Sequence, residues 1–584
     1  MGMTRREAGW ESEVESNEFT RFNVPAWRSA RDWLAEPHGT VNLGAAIDRH
    51  AALRPDQVAI KVRGADGAVS KLSYRALCAE TTRIAHALRV VGLRPGLKAY
   101  ILLERSVEFP KLVLGALKAG GVAAPLFAAF GPDPIATRIG VGGEGVLVTT
   151  HALYRRKIAP LRARLPQLRA IVLVDAPEGA WSDGVFDLNL LIAEAGEGPC
   201  SVNTDESAPA LLHFTSGTTG TPKAVVHSHA IGVSLVATAR EVLDLGGLDR
   251  FWCTADPGWV TGTAYGVLAP LLIGATLVID TAPFDPQRWL DTLACMRVSV
   301  WYTTPTALRM IMRARPLGQP PLETTSLRVV ASVGEPLNAE VVEWGRTMLG
   351  QRIRDTWWQT ETGAIMIANT PAGASADGSM GRPVIGVRAH LVRRLPLGLI
   401  HVLDDHEAAE GELAFDAAWP AMFGAYLDQP ARYRSQFSNG LYLTGDLARR
   451  DARGDYWFVG RVDDAIQSSG HLIGAYEVER VLMAHPAVAE AAAIGVPDDT
   501  CGEAVHAVVT LNAGYAGSDA LATELRGHAR ARLGAVMAPR RIEFSAELPH
   551  TRSGKIMRRQ VRAQALGESI VDLSMLEEAS LHEG

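Results

Sequence analysis

Through roughly the first 380 residues, short apolar runs alternate with segments whose apolar positions recur every three or four residues. "AYILLER" at 99–105 predicts a buried strand, "FPKLVLGALKAGG" at 109–121 a helix closed by glycine, and "VAAPLF" at 122–127 the next strand. The order returns in "VSVWYTT", "PTALRMIMRAR" and "LRVVASVG", with Leu308, Ile311 and Met312 on one helical face. Asn338 is placed to cap a following helix over "AEVVEWGRTML". Such alternation predicts parallel sheets with helices on their faces.

Beyond 380 the texture changes. "VRAHLVRR", "LIHVLDD", "GELAFDA" and "DYWFVG" are short strand patterns separated by Gly and Asp turns, which predicts a smaller antiparallel or barrel-like unit. From about Asp464 the pattern is mixed again. "GAYEVERVLMAHP" and "DALATELRGHARARLG" are helical, while "VAEAAAIGVP" and "EAVHAVVTL" are strands, together the length of a small α+β domain. The class expected is α/β: a large N-terminal domain of parallel-sheet subdomains with a barrel-like appendage, then a small mobile α+β domain.

Composition narrows the setting. Over 584 residues, 47% are hydrophobic and 21% charged, with a net charge of −6, so no overall basic field draws the chain to nucleic acid or anionic membrane. Five cysteines form no CxxC pair, against a disulfide framework or a cysteine zinc site. The N-terminal "MGMTRREAGWESEVES" lacks the apolar core of a signal peptide, and Arg6 stands where myristoylation needs Ser or Thr. The longest apolar run, 266–279, contains Pro270 and is too short to span a bilayer. A soluble cytoplasmic protein is expected.

The strongest chemical signal is "LLHFTSGTTGTPKAVVHSH" at 211–229, read as a strand, a loop of hydroxyls and glycines, and a helical segment after Pro-Lys. Backbone amides of such a loop can turn toward phosphate oxygens, with Lys223 adding charge. A flexible Ser/Gly linker fits the loop's composition but not the buried strand before it. "GVGGEG" at 140–145 satisfies GxGxxG yet precedes a strand, so a turn is expected there. His213, His227 and His229 have no accompanying carboxylates and read as packing residues. Glu361 with loop hydroxyls suffices for a magnesium ion carried in by a nucleotide. "TRSGKIMRRQVR" at 551–562 places Lys555 in a loop, while its later arginines read as a solvated helix face.

In order along the chain, "TSGTTGTPK", "SVGEP", "DTWWQTETG", "YLTGDLARRD", "GRVDD" and "TRSGK" resemble the motifs of the adenylate-forming superfamily, which includes the acyl-CoA synthetases. The resemblance implies a first domain over 1–462 and a mobile second domain over 463–584. It implies that Thr215, Ser216, Gly217, Thr218, Thr219, Gly220 and Lys223 hold the triphosphate. Gly334, Glu335 and Pro336 would flank adenine, and Asp355, Thr356, Trp357, Gln359 and Thr360 would line the nucleotide site. Glu361 would position Mg²⁺, and Asp446 and Arg461 would hold the ribose. Asp463 would be the hinge, and Lys555 the adenylation lysine, open to regulatory acetylation. Ser469 and Gly470 would meet the pantetheine arm of coenzyme A, and Arg530 one of its phosphates. Leu472 departs from the pattern, standing where many relatives carry a phosphate-contacting arginine.

The tandem Trp357–Trp358 resembles the acetyl-CoA synthetases, in which the second indole shortens the acyl pocket. Val260 and Thr261 in "GWVTG" and Val333 in "SVGEP" match the same pocket. The expectation is an AMP-forming acetate–CoA ligase using ATP, Mg²⁺ and coenzyme A, with propionate as second substrate. A ligase for medium-chain or aromatic acids, an enzyme loading a carrier protein, a kinase-like ATPase, and a non-catalytic nucleotide-binding regulator stay open at this point.

Overall fold

The computed structural model describes residues 25–35, 41–177, 184–196, 198, 200–215, 222–371, 375–405, 407–468, 471–498, 502–550 and 556–568. Packing divides the chain into two compact units, Met1–Arg388 with Asp416–Phe437, and Ala389–Phe415 with Ser438–Gly584. The boundary expected at 462/463 falls inside the second unit.

The first unit is built on two sheets. In the nine-stranded one, Thr276–Asp280, Arg250–Cys253, Val300–Thr303, Val329–Val333 and Ile353–Trp357 lie side by side and parallel. The strand at 329–333 is buried at every position, as a strand covered on both faces must be. Pro305–Ala314 begins where the pattern predicts. Thr304 Oγ1 accepts from the Ala307 amide, Pro305 supplies the first-turn residue that needs no partner, and Ala307, Leu308 and Ile311 are buried. Trp301 and Trp344 anchor the core beneath, with Trp252 stacked on Trp301 at 6.1 Å. Asn338 occupies the expected cap position of Ala339–Trp344, without a side-chain bond to its first amides.

The eight-stranded sheet sets Lys98–Leu102, Val122–Leu126, Gly145–Thr149 and Leu168–Leu173 parallel, with Pro209–Thr215 beside Val122–Leu126. "GVGGEG" closes the helix Pro132–Gly142, turns at Gly143 with φ +79°, and enters Gly145–Thr149, so it is a turn. One reading is corrected here. The segment after Pro-Lys is a strand, Lys223–Ser228, antiparallel to Pro209–Thr215, and the helix begins only at Ile231. Val225 and Val226 are β-branched and bury against His213 and Leu212 across the ladder, which outweighs the helical look of "AVVHSH".

In the second unit, Ala389–Arg394, Ala409–Asp416, Leu441–Arg450 and Tyr456–Arg461 form the predicted antiparallel sheet. A further sheet pairs Val488–Asp498 with Gly502–Leu511. Strand alternation splits its side chains: Ala491 and Ala493 join the core with the helices Ala475–Met483 and Asp519–Met537, whereas Ala492 and Ile494 pack with Val561 of Arg558–Leu566. That last helix corrects the reading of its arginines as a solvated face at Arg558, while Arg559 and Arg562 are exposed. Arg558 pairs with the buried Glu479 at 2.6 Å and with Asp464 at 3.3 Å, and Arg562 with Glu503 at 3.2 Å.

Candidate functional site

Cys253, Thr303, Val333 and Trp357 are the last residues of parallel neighbouring strands. The carboxyl edge of such a sheet is where α/β folds bind ligands, because loops leave every strand on the same side. Register sets Cys253 opposite Tyr302 and Val333 opposite Thr356. Val333 and Asp355–Trp357, candidate acyl and nucleotide residues, thus lie on neighbouring strands of this sheet, whereas Thr215 and Lys223 belong to the eight-stranded one.

Trp358 follows directly on the last strand residue, Trp357, which is itself buried. Its indole Nε1 donates to Tyr302 Oη at 3.1 Å, and its ring meets Tyr265 edge-on at 5.2 Å. Both tyrosines are fixed in turn. Tyr302 Oη bonds Thr356 Oγ1 at 2.8 Å; Tyr265 Oη bonds Thr238 Oγ1 at 2.7 Å and accepts from the Ile365 amide at 2.9 Å. Tyr265 sits in the π-helical turn Ala264–Leu268, which follows the short helix opened by Val260 and Thr261. Burial holds both phenols protonated by raising their pKa values. Neither tyrosine was singled out in the sequence; nothing in "VWYTT" or "TAYGVL" marks a hydroxyl aimed at an indole.

The stretch expected at adenine is a turn. Gly334 has φ +92°, and open space surrounds the position a Cβ would take, so the backbone angle alone accounts for glycine. Glu335, beside Pro336, is clamped by Thr306 Oγ1 at 2.8 Å and by Arg309 at 2.6 Å. Asp355 is buried, and burial pushes its carboxyl up to about 7 against the pull of the Thr356 and Leu337 amides.

Around Glu361 a second cluster forms. Thr215 and Lys223 are cross-strand partners, so the expected phosphate loop spans a hairpin whose ends are closed by a ladder. Ser216, Gly217, Thr218, Thr219 and Gly220 lie outside the described residues. Lys223 Nζ stands 3.9 Å from Glu361 Oε1 and 3.4 Å from Tyr426 Oη, and Tyr426 donates to that same carboxylate oxygen at 2.7 Å. Gln359 and Thr360 form the turn carrying Glu361; the Gln359 amide donates to Thr362 Oγ1 and the Gly363 amide to the Gln359 and Thr360 carbonyls. Tyr426 was missed because nothing in "FGAYLDQP" marks its phenol for a site. Below the hairpin, His213 and His227 lie buried with ring centroids 6.5 Å apart, and His229 Nδ1 accepts from the Leu43 amide.

In the second unit, register sets Asp446 opposite Arg461, and Arg461 Nη1 donates to Asp446 Oδ1 at 2.8 Å. Arg461 Nε also reaches Asp463 at 3.1 Å. Burial acts to lower the guanidinium pKa, but Asp446 and Asp463 together outweigh it and raise the value. Arg530 is exposed on Asp519–Met537. Ser469, Gly470 and Lys555 fall outside the described residues; Leu472 lies in His471–Ile473, its backbone opposite Gln467.

Comparison with known proteins follows the same lines. A model of the AMP-binding enzyme family matches residues 47–427, and one of the AMP-binding enzyme C-terminal domain matches 477–555. The acetyl-coenzyme A synthetase of Bacillus subtilis is 40% identical over 558 residues, covering 91% of this chain and 92% of the relative. That of Methylobacterium radiotolerans is 38% identical over 577 residues, covering 93% and 87%. Among solved structures, a Brucella canis acyl-CoA synthetase aligns with a TM-score of 0.70 at 33% identity over 92% of this chain and 97% of its own. The anthranilate CoA ligase AuaEII, in complex with anthranoyl-AMP, aligns with a TM-score of 0.80 at 26% identity over 90% and 97%. The chain belongs to the AMP-binding enzyme family of adenylate-forming ligases.

Proposed function

We infer that the protein is an AMP-forming acetate–CoA ligase. Acetate attacks the α-phosphorus of ATP to give acetyl-adenylate and pyrophosphate; the thiolate of coenzyme A then displaces AMP to give the thioester. The observation that carries the choice of acid is the fixed indole of Trp358, held by Tyr302 and braced by Tyr265. With Val260, Thr261 and Val333 it would leave room for a methyl or ethyl group. One methylene is worth only about 1–3 kcal/mol in such a pocket, so propionate is the natural second substrate. A medium-chain or aromatic acid would require the indole to leave Tyr302.

Two anions must meet at the reacting centre, so cations and oriented donors are needed there. Lys223 and the amides of the 215–223 hairpin would receive the β- and γ-phosphates, and Gly334, Glu335 and Pro336 the adenine. Glu361 is a nearly buried carboxylate beside that hairpin, and the Thr215 hydroxyl is buried with no hydrogen-bond partner among the described residues. An all-oxygen set of this kind suits Mg²⁺ entering with a nucleotide, which would offset phosphate charge when bound. Asp446 and Arg461 would take the ribose hydroxyls. Lys555 would bridge the carboxylate and α-phosphate, and rotation about Asp463 would withdraw it before coenzyme A reacts near Ser469, Gly470 and Arg530. Acetylation of Lys555 by a lysine-modifying enzyme would remove its charge and stop the first step. No helix among the described residues is long and apolar enough to cross a membrane.

Pyrophosphate release across a panel of carboxylates, with and without coenzyme A, tests the reading. Turnover should peak on acetate, with propionate next. A peak on hexanoate or benzoate would overturn the acid, and absence of AMP with every acid would leave a non-catalytic regulator.

A further inference from the structure

Glu361 and Lys223 face each other at 3.9 Å, beyond the roughly 2.7–2.9 Å of a direct charge-assisted hydrogen bond. The phenol of Tyr426 stands between them. Its hydroxyl donates to Glu361 Oε1 at 2.7 Å and accepts from Lys223 Nζ at 3.4 Å, and the ammonium lies 5.1 Å from its ring centroid. Tyr426 is 1% exposed, and its backbone pairs with Val225, two residues beyond Lys223. The same segment grips the Glu361 turn by its main chain. The Phe423 amide donates to the Glu361 carbonyl at 2.9 Å, and Trp419 Nε1 to the Thr362 carbonyl at 2.8 Å. A Cβ on Gly363 would stand 2.5 Å from the Ala421 carbonyl oxygen, so the turn and the segment touch with no side chain between them.

A carboxylate and an ammonium at this separation, only partly solvated, close on each other when nothing intervenes, and each then cancels the other's charge. We propose that Tyr426 is a positioning residue whose phenol holds Glu361 and Lys223 apart and aimed, leaving both charges open to a metal-bound triphosphate. The inference rests on the reading of Glu361 as the metal-side carboxylate and Lys223 as the phosphate contact.

Tyr426→Phe removes one oxygen and keeps the ring. Calorimetry on the full chain would measure binding of a non-hydrolysable ATP analogue with Mg²⁺, without acid or coenzyme A, against binding of AMP without metal. The analogue should bind about tenfold more weakly, as loss of a hydrogen bond to a charged group implies. The Mg²⁺ half-saturation should rise similarly, and KM for ATP should rise more than kcat falls. AMP affinity should hold. Unchanged analogue affinity and Mg²⁺ half-saturation would overturn the proposal; so would an equal loss for AMP, which would make Tyr426 merely structural. Glu361→Gln and Lys223→Ala, run in parallel, separate the two layers. If neither weakens the analogue, the underlying reading fails and takes the inference with it. If both do and Tyr426→Phe does not, only the inference falls.

Discussion

The indole of Trp358 hangs on the phenol of Tyr302, which is itself tied to Thr356 two residues before the indole. Tyr302 comes from a strand two places away in the sheet, so the ring is locked from outside its own segment. An indole held in this way is rigid, and rigidity is what the proposed pocket wall needs to discriminate by length.

Trp358→Gly should therefore lengthen the pocket. Relative kcat/KM for butyrate and longer acids over acetate should rise about 10- to 200-fold per accommodated methylene. Rates across a chain-length series check this, and an unchanged profile would remove Trp358 from the wall. Tyr302→Phe, which leaves the indole N–H without its acceptor, should cost about 1–3 kcal/mol of stability and blur the same profile.

Lys555→Ala should divide the two half-reactions. Pyrophosphate release from acetate and ATP should fall to background, while thioester formation from preformed acetyl-adenylate and coenzyme A should survive. Equal loss of both steps would contradict the role given to Lys555.

The buried histidines predict how stability answers to acid. Burial lowers His213 to about 3 and His227 and His229 to about 4. The unfolded chain therefore takes up protons first, and the stabilisation, full above about 6.5, is lost as pH falls. Going from pH 6.5 to 5 costs about 2 kcal/mol for each histidine. Asp355 works the other way: raised to about 7, its contribution is full below about 4 and is lost as pH rises through 7. Over the same interval it returns about 2 kcal/mol, so the histidines win. Melting curves at the two pH values should show marked acid destabilisation, reduced by about half in His213→Leu.

Arg558→Ala should destabilise the sheet and helices that follow Asp464. Glu479 is 2% exposed and would keep only its bond from the Ala493 amide. Stranding a buried charge costs about 3–5 kcal/mol. Hydrogen exchange in Ala475–Met483 would report the loss, and Arg558→Met combined with Glu479→Leu should recover much of it.

Much of the first unit was legible because strand and helix periods differ and capping residues stand where they should, as at Thr304–Pro305. The hairpin at Lys223–Ser228 was not, since His227 and Ser228 lend a mixed pattern and only the ladder to Pro209–Thr215 decides between strand and helix. Arg558 illustrates a second limit. Its spacing fits a solvated face, and its burial is set by Glu479 on a helix 79 residues earlier. Tyr302, Tyr265 and Tyr426 mark a third. A phenol joins a site through one oxygen, and one-dimensional pattern carries no record of where that oxygen points. Candidates that carry formal charge, as Lys223, Glu361 and Asp446 do, were easier to propose than residues that act by placement.

The contacts that fix Trp358, to Tyr302 and Tyr265, share no side chain with those that fix Glu361, to Tyr426 and Lys223. Only Gln359 and Thr360 separate two mechanically independent fittings. On the proposed roles, mutation can therefore retune which acid is accepted without disturbing the residues that would handle phosphate. A scaffold divided in this way is easily diversified: drift at one strand end yields a new substrate, while the costly part of the catalyst is inherited intact.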